Sequence, residues 1–475
     1  MNATPRVSVY IPCRDYGRFL NQAIASVVAQ SFSSWELLLI DDGSTDETGA
    51  IVARSCLDDS RIRSLRHETP RGLPASANAA LRRARGAYFI RLDADDHFDE
   101  NALLVLVTYL DQHPDIALVY PNYVHVDEQG RYLGVEHRKR IGTEAQLLDL
   151  PAHGACTMVR RTVLEQVGGY SETQDRQDGY DLWLKVARRY PVANIETPLF
   201  FHRHHGPSLS RDEERLLAAR RRIKRAAASN GLERAGLGRC AAVVLAKNTY
   251  EYLPDVVLAP LAGRPLIDYS LDAALEVDAF DVVVVSTDDP RVADYADRYH
   301  SRVYGHVRPE GLSGQHARED LVLHHALLHL EGSRDLVVDT IVSLAVNCPL
   351  GRGEHIQEAL DTLALFETDM VISVYEDYGL HFVHGFSGLR PLNSAMHLQI
   401  RLEREALYVW NGAVRALRRD AINQDGFQAV TVGHIVMRYE DSFQIKTEFE
   451  RGLVGKLLVE RDTQSGAIQR VVERG

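Results

Sequence analysis

The sequence predicts an α/β chain of two helix-covered sheet units, and three observations predict it. Short apolar runs alternate with helix-periodic segments from Val7 to Tyr120, the rhythm of strands joined by crossover helices. The same rhythm resumes near Arg239. Two of the apolar runs end in acidic clusters, Asp41-Asp42-Gly43-Ser44-Thr45-Asp46 and Asp93-Ala94-Asp95-Asp96. In an open α/β sheet the carboxyl ends of the strands form the crevice where ligands bind, so both halves read as Rossmann-like, nucleotide-binding units.

Element by element, Val7 to Ile11 reads as a strand followed by a turn at Pro12 to Gly17, and Phe19 to Gln30 carries apolar residues at helical spacing. Trp35 to Ile40 is the second strand, and Thr48 to Leu57 a helix with Ser44 or Thr45 as its cap. Ile62 to Leu65, Ala87 to Leu92 and Ile116 to Tyr120 read as strands, Leu73 to Ala84 and Ala102 to Gln112 as helices, and Arg131 to Pro151 as irregular. The second series runs through strands at Ala241 to Leu245, Val282 to Val285, Leu336 to Val338 and Met370 to Tyr375, with helices at Ile267 to Glu276, Val292 to Tyr299 and Asp320 to Leu330. Between the series lie a helix, Asp212 to Arg225, and a polar, glycine-containing stretch. These place one domain at 1–228, a linker at 229–238 and a second domain at 239–475.

Composition narrows the function. The 475 residues carry 45% hydrophobic and 25% charged side chains, ordinary for globular domains. The net charge of −12 excludes a generic binder of nucleic acid or anionic membrane. Five scattered cysteines lack metal-type spacing and fit a reducing compartment. No apolar run approaches the roughly 18 residues of a membrane span, and Met1 to Arg6 has no apolar signal region. The expected address is the cytoplasm, with peripheral contact at the inner face of the membrane if the cations Arg220, Arg221, Arg222, Lys224 and Arg225 dock there rather than forming a solvated helix face.

Two carboxylate-tipped strands meeting at one crevice can hold a nucleotide with one cluster and a divalent ion with the other. Transfer of a sugar from a nucleotide needs a grip on the base and ribose, neutralisation of the leaving diphosphate, and removal of a proton from the attacking hydroxyl. Hard ions such as Mg²⁺ or Mn²⁺ bridge phosphate oxygens and prefer carboxylate ligands. Asp93 and Asp95, one residue apart at a strand end, are the metal-side candidates.

Residues 7 to about 211 resemble a family 2 glycosyltransferase of the GT-A fold. The resemblance rests on Val7-Ser8-Val9-Tyr10-Ile11-Pro12, Ser26-Val27-Val28-Ala29-Gln30-Ser31-Phe32, Trp35-Glu36-Leu37 leading into the Asp41 cluster, and Asn78 with Gly86. It continues through the Asp93 cluster, Gly168-Gly169-Tyr170, Gln177-Asp178-Gly179-Tyr180-Asp181-Leu182-Trp183, and His202-Arg203-His204-His205 with Ser208 and Ser210. It implies that Pro12, Arg14, Asp41, Asp42 and Asp93 contact the nucleotide and that Asp95, with Asp93, meets the metal and diphosphate. His204 or His205 would touch the diphosphate. The family's acidic pair before an aromatic residue here reads Gln177-Asp178-Gly179-Tyr180. Aligned on Tyr180, the usual base position falls on Gly179, and a shift of one residue gives Asp178 as the general base, with Asp181 as the alternative. Asp46 reads as a helix cap, Asp96 as a ligand or a support of the metal loop, and Leu182 and Trp183 as core. A base and a metal on opposite sides of the sugar imply one in-line displacement with inversion.

Residues 240 to about 460 resemble a cytidylyltransferase of the CMP-sialic acid synthetase type, through Pro260-Leu261-Ala262-Gly263-Arg264-Pro265-Leu266-Ile267, Val283-Val284-Val285-Ser286-Thr287-Asp288-Asp289, Arg308-Pro309, Leu312, Asn411-Gly412-Ala413 and the Ile445 region. The family's glycine-rich, lysine-bearing loop would fall on Ala246 to Val257, which has no glycine and carries Glu251 and Val256 at the lysine positions. Its late metal aspartates fall on Lys446 and Glu450. The second domain is therefore expected to keep the fold without nucleotidyl transfer, and the resemblance implies a homodimer through the Asn411 region.

The expected protein is an inverting, metal-dependent glycosyltransferase using a UDP-type donor and a glycan, lipid-linked or protein acceptor, in surface polysaccharide or glycoconjugate synthesis. The alternatives are a bifunctional enzyme that also activates an acidic sugar with CTP, and a non-catalytic scaffold that binds sugar nucleotides.

Overall fold

The computed structural model describes residues 4–138, 154–174, 176–205, 213–229, 236–248, 253–314, 317–386, 388–392 and 407–472. Ser208, Ser210 and Glu251 lie outside the described residues. The chain divides into two compact units: Met1–Ile223 with Leu380–Glu405, and Lys224–Gly379 with Ala406–Gly475.

The first unit runs β1 (Val7–Cys13), α1 (Gly17–Val28), β2 (Trp35–Asp41), α2 (Thr48–Asp58), β3 (Ile62–Arg66), α3 (Leu73–Leu81), β4 (Tyr88–Arg91), β5 (His97–Phe98) and α4 (Ala102–Gln112). Then come β6 (Leu118–Val126), β7 (Tyr132–Glu136), β8 (Met158–Arg160), α5 (Arg161–Gln166), α6 (Asp178–Ala187), β9 (Val192–Arg203) and α7 (Glu213–Ser229), whose residues from Lys224 on belong to the second unit. The sheet order is β3-β2-β1-β4-β8-β6-β9-β5, with β7 paired to β6.

The parallel rhythm read from the sequence holds for β3, β2, β1 and β4. Beyond β4 the sheet is mixed, because β8 runs antiparallel to both β4 and β6. Part of the stretch expected to be irregular forms β7.

Burial explains the parallel half. Val7, Val9, Ile11, Leu37 and Leu39 pack in one cluster with Leu20, Ile24 and Val27 of α1 and Leu103, Leu106 and Leu110 of α4. Tyr10, Leu38 and Ile40, which alternate with them, are buried as well, so these strands are near-continuous apolar runs covered on both faces. Gly86 sets the approach to β4: a Cβ there would collide with the backbone of Val7 and Ser8.

The second unit has a seven-stranded sheet in the order Val303–Val307, Phe280–Thr287, Cys240–Ala246, Thr340–Ala345, Leu407–Arg418, Met370–Asp377, Val432–Val436. The first four strands are parallel, and Leu407–Arg418 is antiparallel to both its neighbours. The strand expected at Leu336 to Val338 is instead Thr340–Ala345. Its Thr340, Ile341, Val342 and Ser343 are all buried in the sheet centre, whereas Leu336 to Val338 follow the left-handed Asp335 that ends the helix Glu319–Arg334.

The cations of α7 do not form one solvated face. Lys224 is 3% exposed, with Nζ 3.3 Å from Glu358 Oε1 and from Thr362 Oγ1. Arg225 pairs with Asp361 at 3.3 Å.

Candidate active site

The carboxyl ends of β1, β2 and β4 open on a cavity of about 570 Å³. Its lining includes Pro12, Arg14, Asp42, Asp93, Asp95 and Asp178. Of the nucleotide and metal residues expected from the sequence, only Asp41 and His204–His205 are missing from that wall.

Asp41 and Asp42 point opposite ways, as neighbouring residues of an extended chain must. Asp41 accepts from the Ser44 amide and Arg66 Nη1, both at 2.9 Å, and is 1% exposed. It holds the loop after β2 and stands behind Asp42. Asp42 Oδ1 and Oδ2 accept the amides of Arg71 and Gly72 at 2.8 Å, and Oδ1 faces His67 Nδ1 at 2.7 Å. Asp46 accepts from the amides of Thr48 and Gly17 at 2.9 and 3.0 Å. It thus ties the starts of α1 and α2, as its reading as a cap expects, whereas Ser44 and Thr45 do not take that role. Ser44 Oγ instead accepts the Asp15 amide, and the Thr45 amide is taken by Asp15.

The second cluster follows β4. Asp96 is 2% exposed, accepts the Arg203 amide at 2.8 Å and faces His202 Nδ1 at 3.3 Å. It fastens the metal-side loop to β9. Asp95 Oδ2 lies 2.9 Å from His205 Nε2. Burial and the nearby charges of Asp96 and Asp93 push the Asp95 carboxyl up to about 6. Burial would lower His202, but Asp96, Asp95 and Asp93 raise it to about 9. Three carboxylates crowded this way are relieved by a cation. Among the described residues no three His, Cys, Asp or Glu converge to hold an ion unaided. Asp95 and His205 are the residues here that could hold such an ion, with its remaining ligands to come from outside the protein.

Strand alternation also separates the two histidines. His205 reaches Asp95 and packs on Tyr16 and Phe19, while His204 Nε2 faces His125 Nδ1 at 2.7 Å.

Asp178 opens α6, preceded by Gln177 in the left-handed region at φ 58°. A helix N-terminus favours a negative charge, while burial raises the Asp178 carboxyl against the pull of Arg91. Asp181, one turn on, is directed at Lys185 Nζ (2.6 Å) and the Ser171 amide (3.3 Å), away from the cavity lining.

Arg91 is a site residue not among those expected from the sequence. Its Nε and Nη2 bind both oxygens of Asp93 at 2.7 and 3.0 Å, and its Nη1 binds Asp178 Oδ2 at 2.7 Å. One buried guanidinium thus joins the Asp93 cluster to the start of α6. The single cation inside the apolar run Tyr88-Phe89-Ile90-Arg91-Leu92 was the available signal.

Residues 8–168 match the family model Glycosyl transferase family 2, and residues 241–454 match the model Cytidylyltransferase. The putative glycosyltransferase EpsE of Bacillus subtilis is 32% identical over 192 residues, 39% of this chain and 68% of that protein. The O-antigen biosynthesis protein RfbC of Myxococcus xanthus is 28% identical over 314 residues, 62% of this chain and 24% of that protein. Among solved structures, S. aureus TarS 1–349 in complex with UDP-GlcNAc aligns at a TM-score of 0.41 and 16% identity, covering 48% of this chain and 67% of that one. The chain spans 29%, 30% and 24% of the length of three curated relatives it matches.

Proposed function

The chain belongs to glycosyl transferase family 2, and on that premise we propose that its first unit moves a sugar from a nucleotide donor to a hydroxyl acceptor with inversion, in polysaccharide or glycoconjugate synthesis. The observation that carries the reading is the Arg91 bridge, which sets Asp93 and Asp178 on one cavity wall with Asp95.

In this reading Pro12, Arg14 and Asp42 receive the base and ribose. Asp95 and His205 would hold a Mg²⁺ or Mn²⁺ ion, with Asp93 beside them. When bound, the ion neutralises charge on the departing diphosphate. Asp178 accepts the proton of the acceptor hydroxyl as the oxygen attacks the anomeric carbon. A base must lie within hydrogen-bond reach of that proton, and Asp178 lines the cavity where Asp181 does not. The Arg91 bond keeps Asp178 aimed and favours its ionised form. A UDP-type donor, the usual one of the family, is the first to test.

We read the second unit as a cytidylyltransferase-like module without nucleotidyl transfer. Glu450 Oε2 accepts the amides of Lys446 and Thr447 at 2.6 and 2.9 Å. The carboxylate at the family's metal position thus caps the helix Glu448–Val472. Lys247 Nζ is turned to the carbonyl of Gly314.

A thermal-shift screen of nucleotide sugars, with and without Mn²⁺, tests the proposal. The right donor raises the melting temperature through ligand linkage, and more so with the ion. No response to any nucleotide sugar would refute it.

A further inference from the structure

We propose that the cavity contains a second anion-binding subsite beside Asp178, centred on Arg220, which takes a phosphate or carboxylate carried by the acceptor. The inference rests on the glycosyltransferase reading above and adds the acceptor's charge class to it.

Arg14, Arg91, Arg138, Arg176, His202 and Arg220 line the cavity, and several of these cations are tied to carboxylates. Arg91 is engaged by Asp93 and Asp178, and Arg138 lies 3.2 Å from Glu136. His202 faces Asp96. Arg220 differs. Its Nε lies 3.4 Å from the neutral amide oxygen of Gln177, and its guanidinium carbon sits 5.7 Å from the centre of the Tyr180 ring. These partners orient a cation without cancelling its charge.

Gln177 immediately precedes Asp178, and Tyr180 follows it by two residues. Arg220 is therefore braced on both sides of the proposed base, which is where the acceptor hydroxyl must come. Leu216 lines the same cavity and gives the patch an apolar floor. A planar guanidinium matches a phosphate or carboxylate through paired N–H donors. In the reading above the donor's diphosphate would be met on the Asp95 side of the cavity, which leaves the Arg220 charge for a different anion.

The test uses the full chain saturated with UDP and Mn²⁺, into which glucose 6-phosphate, glucuronate and glucose are titrated by calorimetry. Wild type is expected to bind one or both acids at least about tenfold more tightly than glucose, the scale of a charged hydrogen bond. Arg220→Gln should erase that preference, and Arg220→Lys should keep part of it. The phosphate and carboxylate arms tell which acid the subsite fits. Equal binding of all three sugars, or a preference that survives in Arg220→Gln, would overturn the subsite. A fall of UDP affinity in Arg220→Gln would also overturn it, by reassigning the cation to the diphosphate. Failure of wild type to bind UDP at all would instead strike the glycosyltransferase reading.

Discussion

At the scale of single residues, Arg91 and Asp95 carry the account. Removing one partner of a buried charge pair strands the other, typically at about 3–5 kcal/mol. Arg91→Met leaves the buried Asp178 and the partly buried Asp93 without their shared cation. It is expected to lower the melting temperature and cut transfer by roughly 100-fold or more, the usual worth of a positioned base. A melt and a donor-turnover assay check both. Asp95, held near 6 when folded and about 3.9 when unfolded, binds its proton more tightly in the folded state. That contribution favours folding at low pH and is lost as pH rises through about 6. Metal-free Asp95→Asn should therefore melt higher than wild type at pH 7.5 while losing donor turnover. Added Mn²⁺ should stabilise wild type but not the variant, and its effect should fade as pH falls below 6, since a protonated carboxyl no longer serves as a ligand.

At the scale of elements, the donor-side strands were legible because each is an apolar run tipped by aspartate. Periodicity could not say which of two adjacent side chains enters the crevice. Asp41 and Asp42, like His204 and His205, are separated by the pleat and by partners distant in sequence, namely Arg66, His67, His125 and Asp95. Arg91 escaped notice because its two carboxylates lie two and 87 residues away. The mixed half of the sheet was hidden for a similar reason: β8 is three residues long and pairs with β4 and β6 across large sequence separations. Two substitutions probe element junctions. Gly86→Ala forces a Cβ onto the β1 backbone and should cost about 1–3 kcal/mol, visible in thermal unfolding. Glu450→Ala removes the carboxylate from the start of the last helix and should cost about 1 kcal/mol without changing donor turnover.

At the scale of the whole molecule, two nucleotide-binding-type sheets share one chain, and their chemistry is read as unequal. The first keeps its carboxylates on a cavity; the second has a lysine and a capping glutamate where a metal is expected. Incubation with CTP, Mg²⁺ and sialic-type acids should release no pyrophosphate, and clear CMP-sugar formation would reverse the reading of the second unit. Among the described residues no helix is long and apolar enough to cross a membrane. The role of Asp178 is tested by turnover of the donor found by the screen, with Mn²⁺, in wild type and Asp178→Asn. Metal-dependent turnover that falls by roughly 100-fold or more in the variant, with nucleotide affinity retained, is the result expected. Equal turnover in the two proteins would contradict the assignment of Asp178 as the group that activates the acceptor.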